Sequence, residues 1–185
     1  MAETFAELLE AARAGDEWAI GCLWRELQPR VLRFLQARNA SAAEDVASDT
    51  WLRVARNLRS FSGGEVEFRA WLFTIARRAL IDWQRRSARR PSTSLLGESN
   101  ELPSGDDPAG EAIEVLATRG ALELVRLLPQ DQAEVILLRV IGGLDVSNVA
   151  EVLGRPLGTV RVLQHRGLHR LAGLLGAAAL SDERA

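Results

Sequence analysis

Apolar residues recur at helical spacing along most of the chain, and no segment shows the sustained alternation that is typical of β-strands. The first helix is predicted to begin at a capping box formed by Thr4 and Glu7 and to end at Gly15. Asp16 then caps a second predicted helix over about 17–38. The predicted inward face of this second helix consists of Ile20, Leu23, Trp24, Leu27, Val31 and Leu35.

Two more predicted helices complete the N-terminal group. Ser41 and Glu44 form a second capping box, opening a helix that ends at about Leu58. Its inner side is predicted to consist of Val46, Trp51, Val54 and Leu58. A loop with two glycines leads into a fourth helix over about 67–90, whose apolar side consists of Phe68, Trp71, Leu72, Ile75, Ala79 and Trp83. Four helices that bury their apolar stripes together predict a first helical domain.

A change of composition after this helix divides the chain. Pro91 ends the helix, and the stretch "PSTSLLGESNELPSGDDPAG" is rich in serine, glycine, proline and acids, which predicts a flexible acidic linker. Helical periodicity returns at about 111–128, 130–141, 147–153 and 159–175. The predicted fold class is therefore all-α, with two small helical domains at 1–91 and 111–178, a linker at 92–110 and a frayed tail at 179–185.

A helix-turn-helix is predicted near the C-terminus. Ser147 is expected to cap a short helix, Gly154-Arg155-Pro156 forms a tight turn, and Thr159 begins a longer helix. The second helix of such a motif lies in the DNA major groove, and we call it the reading helix. Its inward side is predicted to consist of Val160, Leu163, Gly167, Leu168 and Leu171.

The outward side of the reading helix has the chemistry needed to read bases. Arginine can bind phosphate or guanine, and a valine methyl can contact thymine. We define the reading face as Thr159, Arg161, Val162, His165, Arg166 and His169. The alternative is the solvated face of an ordinary helical hairpin. The two histidines are the only ones in the chain, and because no third ligand is nearby, no metal site is predicted.

The fourth helix concentrates positive charge. Six arginines lie between Arg77 and Arg90, and Asp82 alone opposes them, in a chain with a net charge of −2. We define the arginine stripe as Thr74, Arg77, Arg78, Arg85, Arg86 and Arg89. Asp82 is expected to pair with Arg78, Arg85 or Arg86 along the helix. Arginine forks beside aromatic residues predict nucleic-acid binding, the alternative being a solvated face over a core that contains Trp71.

The composition of the chain excludes or disfavours several kinds of site and several classes of protein. Cys22 is the only cysteine of the 185 residues, which excludes an intrachain disulfide and argues against a cysteine-based metal site. All 23 basic residues are arginine. No apolar run is long enough for a membrane span, so a cytoplasmic location without membrane insertion is expected. No carboxylate pair, histidine triad or glycine-rich phosphate loop has catalytic spacing, so neither an enzyme nor a cofactor is expected.

Both halves of the chain resemble the extracytoplasmic-function (ECF) group of the sigma-70 family. "SAAEDVASDTWLRVARNLRSF" resembles the acidic helix of sigma region 2, "FRAWLFTIARRALIDWQRR" resembles the segment that opens and reads the −10 element, and "LLPQDQAEVILLRVIGGLDVSNVAEVLGRPLGTVRVLQHRGLHRL" resembles region 4, which reads the −35 element. The resemblance covers nearly the whole chain in the order of the family.

The resemblance implies partners and roles. It implies binding to core RNA polymerase at the β′ clamp helices and the β flap, binding to promoter DNA, and control by an anti-sigma factor. The expected polymerase contacts are Asp45, Asp49, Arg53 and Arg56. Arg78 stands where the family commonly has asparagine, so a different −10 base preference is expected. Val162-Leu163-Gln164 stands where the family often has Ser-Arg-Leu, so the resemblance does not predict the −35 sequence. The alternative function is a helix-turn-helix regulator that acts at operators without polymerase.

Overall fold

A computed structural model describes residues 4–89 and 120–182 of the chain. The predicted linker at 92–110 lies outside the described residues, as does the first half of the helix predicted at about 111–128. Within the described ranges, every regular element is a helix. The four N-terminal helices form a first lobe, and the helices from residue 120 onward form a second lobe, which agrees with the predicted all-α class.

Local hydrogen bonds fix the first helix where the sequence predicts it. Helix α1 spans Phe5–Ala14. The Glu7 amide donates to the Thr4 hydroxyl at 3.3 Å, and the Thr4 amide donates to the Glu7 carboxylate at 2.7 Å, which confirms the capping box. The helix ends at Gly15, whose φ of 97° lies in the left-handed region that glycine adopts without strain.

Helix α2 spans Glu17–Arg38 and supplies much of the first core. The Asp16 carboxylate accepts a hydrogen bond from the Ala19 amide at 2.8 Å, which confirms the predicted cap. Leu23, Leu27, Val31 and Leu35 are buried as predicted. Trp24 is not, because it lies at the rim of a groove between α2 and the next helix and remains 46% exposed.

The second predicted capping box is wrong. Residues Ala40–Ala42 form a short 3-10 turn, and α3 follows over Ala43–Asn57 without a side-chain cap. The Asn39 side chain accepts hydrogen bonds from the Ala42 amide at 3.2 Å and from the Ser41 hydroxyl at 3.0 Å. Ser41 is therefore inside the turn that Asn39 caps, and it cannot also be the cap of α3.

Helix α4 spans Glu65–Ala88 and carries the arginine stripe. The Glu67 side chain accepts a hydrogen bond from the Gly64 amide at 2.9 Å. This bond satisfies one of the backbone donors that are left free at the start of α4. Phe73 of α4 packs edge-on against Phe34 of α2, with 5.4 Å between ring centroids. The first lobe buries its largest side chains at Leu9, Leu23, Leu27, Phe34, Leu35, Phe68, Leu72 and Phe73.

The second lobe contains the helix-turn-helix. Helix α5 is described over residues 120–126, and α6, α7 and α8 span Gln130–Val140, Val146–Leu153 and Leu157–Asp182. The turn before α8 begins at Gly154, which has a φ of 62°. Helix α8, the reading helix, begins two residues before Thr159 and continues into the predicted tail.

Asp145, not Ser147, caps α7. The Asp145 carboxylate accepts hydrogen bonds from the Asn148 amide at 2.8 Å and from the Ser147 hydroxyl at 2.7 Å. The amide hydrogen bond, with a further one from the Ser147 hydroxyl, holds the pKa of Asp145 below its ordinary value. The predicted Ser147 cap is wrong because Ser147 is the second residue of α7. Its hydroxyl donates a hydrogen bond to the Asp145 carboxylate that caps the helix.

The two lobes pack against each other. Helix α4 of the first lobe contacts α7 of the second, and the buried residues of both lobes belong to one apolar cluster. None of the helices in the described ranges is long and apolar enough to cross a lipid bilayer.

Candidate DNA and polymerase surfaces

The reading face is exposed on the second lobe. All six of its residues are exposed on α8, while Val160 on the opposite side is fully buried. The structure therefore places the predicted base-reading side chains together on one open surface. Leu168 was predicted to point inward, but it is 49% exposed. The reason is that Gly167, one position earlier, is the residue of α8 that packs against α6.

Gly167 allows α8 to lie close to α6. A Cβ atom at this position would be 3.1 Å from Ile136 Cγ1 and 3.4 Å from Gln132 Cβ. Such a contact is tighter than ordinary van der Waals spacing, so the absence of a side chain brings the two helices together. The position thus sets the distance between the reading helix and the core of its lobe.

The two histidines of the reading face line a shallow depression. Gln132 of α6 and Arg166 of α8 line it with His165 and His169. Among the residues that the structure describes, no three metal-ligating side chains come together. Arg166 adds a cation to the polar groups of Gln132 and the two histidines, which suits base edges and phosphates.

The arginine stripe divides into two parts. Arg78, Arg85 and Arg86 are exposed on α4, and Arg89 is exposed at the residue that follows it. Arg77 is turned toward the second lobe, where its Nε donates to Glu134 Oε1 at 3.0 Å. Thr74 is half-buried, and its hydroxyl donates to the Ala70 carbonyl at 2.8 Å. Four of the six predicted residues are thus directly available to DNA in this arrangement.

The exposed part of the stripe borders a cationic cleft. The cleft is lined by Arg53, Asp82, Arg85, Arg86 and Arg89. Four guanidinium groups around one carboxylate give it a net positive charge, which attracts the phosphates of a nucleic-acid backbone. The geometry therefore favours nucleic-acid binding over a merely solvated face.

The partner of Asp82 differs from the prediction. Arg53 of α3 donates to Asp82 Oδ2 at 3.1 Å, and the predicted carboxylate pairing with Arg78, Arg85 or Arg86 is not the one that forms. Arg86 instead donates its Nε to the backbone carbonyl of Asp82 at 3.3 Å. The helical wheel considers one helix at a time, so it could not reveal a partner on α3.

Trp71 belongs to an aromatic cluster within the first lobe. Its ring lies 4.9 Å from that of Phe61 at an interplanar angle of 30°, and 5.7 Å from that of Phe68. These contacts favour the core interpretation of Trp71 over a surface for stacking bases. Trp83, near the other end of α4, is half-buried and also packs against the core.

The acidic helix α3 presents the predicted polymerase contacts on its outer side. Asp45 and Arg56 are exposed. Asp49 and Arg53 form an ion pair at 2.8 Å, and the hydrogen bond to Asp49 raises the pKa of Arg53, with a smaller contribution from Asp82. All four side chains thus lie on the solvent-accessible part of α3.

An apolar groove beside these charges was not predicted. Trp24 of α2 and Leu52 of α3, respectively 46% and 56% exposed, line it together with Trp51. Trp51 is held in place by a hydrogen bond from its Nε1 to Gln28 Oε1 at 2.6 Å. The available signal was Leu52 itself, an apolar residue that falls outside the inward stripe of α3.

Comparison with known families identifies both lobes. Residues 23–90 match the model of sigma-70 region 2, and residues 119–171 match that of sigma-70 region 4. The chain is 32% identical over 178 residues to the ECF RNA polymerase sigma factor ShbA of Streptomyces griseus, a match that covers 90% of this chain and 93% of ShbA. The chain belongs to the ECF sigma factors of the sigma-70 family.

Other ECF sigma factors show the same relationship. The chain is 35% identical over 173 residues to BldN of Streptomyces coelicolor, which covers 91% of this chain but only 65% of the length of BldN. It is 30% identical over 182 residues to SigD of Mycobacterium tuberculosis, covering 95% of this chain and 86% of SigD. No finding favours the alternative of a regulator that acts without polymerase.

Solved structures share the fold. The structure of CnrH in complex with the cytosolic domain of CnrY matches with a TM-score of 0.66 at 23% identity and covers 95% of this chain and 99% of that one. RpoE in complex with the anti-sigma factor NepR from Bartonella quintana matches with a TM-score of 0.64 at 22% identity, covering 84% and 96%. Sigma factors are initiation factors that direct RNA polymerase to promoters, and this chain is an alternative sigma factor.

Proposed function

We propose that this ECF sigma factor divides promoter recognition between its two lobes. The reading face of α8 contacts the −35 element, and the arginine stripe of α4 holds the −10 DNA while its strands separate. The observation that carries the proposal is the presence of two separate exposed cationic surfaces, one on each lobe. The helix-turn-helix geometry suits duplex DNA, and the cleft beside the stripe suits a phosphate backbone.

The first lobe also supplies the main contact with core RNA polymerase. Asp45, Asp49, Arg53 and Arg56 of α3 contact the β′ clamp helices, and the second lobe contacts the β flap. The apolar groove next to α3 supports this assignment, because exposed tryptophan and leucine beside charged residues are typical of a protein-binding surface. The bacterial cytoplasm, where polymerase and chromosome meet, is the corresponding site of action.

An anti-sigma factor is the proposed negative regulator. The matching structures of CnrH and of the Bartonella RpoE each contain a second protein, and the partner of RpoE is an anti-sigma factor. A protein that covers α3 in this chain would compete directly with polymerase. No catalytic step and no cofactor form part of the proposal.

Strand opening on a promoter tests the division of labour. Arg166→Ala removes a cation from the reading face, so it is expected to weaken closed-complex formation and, where the fork contacts a base, to lose about 1–3 kcal/mol of discrimination. Arg78→Ala and Arg85→Ala are expected to leave duplex −35 binding intact and to impair opening. Permanganate footprinting of unpaired thymines, with core polymerase present, separates these outcomes.

Arg13→Ala provides the matched control, because Arg13 pairs with Glu10 on α1, a helix that carries no residue of the reading face or the arginine stripe. This variant should open the promoter like the unmodified protein. Normal opening by the Arg78 and Arg85 variants, together with normal closed-complex formation by the Arg166 variant, would contradict the proposal.

A further inference from the structure

A buried carboxylate joins the two lobes. Glu134 of α6 has a side chain that is 8% exposed, and it accepts a hydrogen bond from Arg77 of α4 at 3.0 Å. Arg38 of α2, also 8% exposed, has its Nη2 3.7 Å from the same carboxylate oxygen. One acidic side chain of the second lobe is therefore held by two arginines of the first lobe.

Main-chain contacts surround this cluster. Arg38 Nη1 donates to the Gln130 carbonyl at 3.2 Å, and Arg126 Nη2 donates in the opposite direction, to the Gln36 carbonyl of the first lobe, at 2.7 Å. These polar contacts stand beside the apolar contact between α4 and α7, and the buried charges between the lobes are concentrated at Glu134.

Burial makes this charge cluster depend on the closed arrangement. Taking a carboxylate out of water is costly, and the cost is offset only while oppositely charged donors stay in place. Loss of either arginine leaves the buried Glu134 carboxylate with one of its two compensating charges. Water and salt screen such a cluster much less than an exposed ion pair.

We propose that Glu134 is an interlobe latch: by binding Arg38 and Arg77, it holds the lobes together and keeps Arg77 away from DNA. The second part rests on the proposed function, in which Arg77 belongs to the DNA-binding arginine stripe. The latch is asymmetric. The reading face of α8 remains exposed in the closed form, whereas the part of α4 around Arg77 is covered.

Two variants of the full chain test the latch by different routes. Glu134→Gln keeps the side-chain shape and removes the charge, and Arg38→Gln removes a partner that is not part of the arginine stripe. Both are expected to raise the radius of gyration measured by small-angle X-ray scattering. Both are also expected to bind a labelled oligothymidylate more tightly. If about a tenth of unmodified molecules are open and only the open form binds the oligonucleotide fully, affinity rises by up to about tenfold, because apparent Kd scales inversely with the competent fraction.

Asp131→Asn is the matched control. Asp131 lies on the same helix as Glu134, but it pairs with Arg155 at 3.0 Å inside the second lobe. This variant removes the same charge and should stay as compact as the unmodified protein. Tighter binding by Arg38→Gln is especially informative, because that variant loses a positive charge and would otherwise bind DNA more weakly.

The outcomes separate the latch from the proposed function. Unchanged scattering by both folded variants overturns the latch, and so does failure of both to fold by circular dichroism, because Glu134 would then support a lobe rather than a contact between lobes. Suppose that the two variants have a larger radius of gyration but bind the oligothymidylate no more tightly, while Arg78→Ala binds it more weakly. This result would overturn the inference that Glu134 keeps Arg77 away from DNA. If Arg78→Ala also has no effect, the DNA role of the stripe fails and the latch between the lobes stands.

Discussion

Arg53 of α3 donates a hydrogen bond to Asp82 of α4, with 3.1 Å between Nη1 and Oδ2. The same guanidinium group pairs with Asp49 at 2.8 Å. Three residues therefore connect the helix proposed to bind polymerase with the helix proposed to bind −10 DNA. Arg53 belongs to both surfaces, since it also lines the cationic cleft.

We expect Asp82→Asn to increase non-specific DNA binding with little effect on folding. The Arg53–Asp82 pair is one-third to one-half exposed, and exposed pairs contribute about 0–1 kcal/mol. Removal of the carboxylate raises the positive charge of the cleft, so affinity for single-stranded DNA should rise and depend more steeply on salt. Fluorescence anisotropy over a salt series measures both. Glu10→Gln makes the same charge change on α1. If this control variant binds single-stranded DNA as tightly as Asp82→Asn does, the effect is due to net charge alone.

Charge reversal at Asp49 is expected to weaken binding to core polymerase without unfolding the protein. Asp49→Arg places two cations side by side on α3 and inverts the charge offered to the clamp helices. Repulsion along the helix costs only about 0.3–0.5 kcal/mol, so the melting temperature should change little. A pull-down with core polymerase measures the interaction, with Glu10→Arg as the control. Retained affinity in Asp49→Arg would remove Asp49 from the polymerase surface.

The cap of α7 gives a prediction about stability and pH. Asp145→Ala removes the acceptor for the Asn148 amide and should lower the melting temperature, whereas Ser147→Ala should lower it less. Because the folded pKa of Asp145 is depressed, its ionised form stabilises the fold above the ordinary pKa. That stabilisation is lost as the pH falls through the folded pKa.

Asp145→Asn keeps a capping acceptor but cannot titrate. Its melting temperature should therefore fall less than that of the unmodified protein between neutral pH and about pH 3, where an ordinary aspartate is largely protonated. Equal pH dependence in the two proteins would show that the Asp145 carboxylate is not the titrating cap.

Two glycines of α8 form a matched pair for testing the contact between α8 and α6. A Cβ on Gly173 would meet no atom within 4 Å, whereas one on Gly167 would be 3.1 Å from Ile136 Cγ1. Gly173→Ala should stabilise the helix by up to about 1 kcal/mol through helix propensity. Gly167→Ala should stabilise less, or destabilise, and should weaken −35 binding because α8 must move away from α6. Equal stabilisation of both variants by thermal denaturation would contradict a tight contact.

Local signals in the sequence were sufficient where the structure depends on near neighbours. Thr4, Glu7 and Asp16 cap their helices through bonds that span three residues, and such bonds are visible in a short pattern. Ser41 shows the limit, because a competing cap by Asn39 two residues earlier changes which residue begins the helix. In the same way, Asp145 lies two residues before Ser147 and is the residue that caps α7.

Pairings between distant residues could not be predicted from periodicity. Asp82 meets Arg53 across 29 positions, and Arg77 meets Glu134 across 57. A helical wheel places each side chain on a face, yet the partner of that face depends on how whole helices pack. The exposed residues of the reading face were predictable for the opposite reason, since they need no partner within the chain.

The arginines that bridge the lobes show why no other cation would serve equally well. The Arg38 guanidinium group contacts the Gln130 carbonyl through Nη1 and the Glu134 carboxylate through Nη2. The planar group with several donors makes both contacts possible at once. The chain contains no lysine, so its basic side chains offer no amine to acetylate, and guanidinium groups stay charged throughout the physiological pH range. Neither proton loss nor lysine acylation can turn off the cations of this sigma factor. A partner that covers those charges can still lower its affinity for DNA, and the number of copies in the cell sets how many sites are occupied.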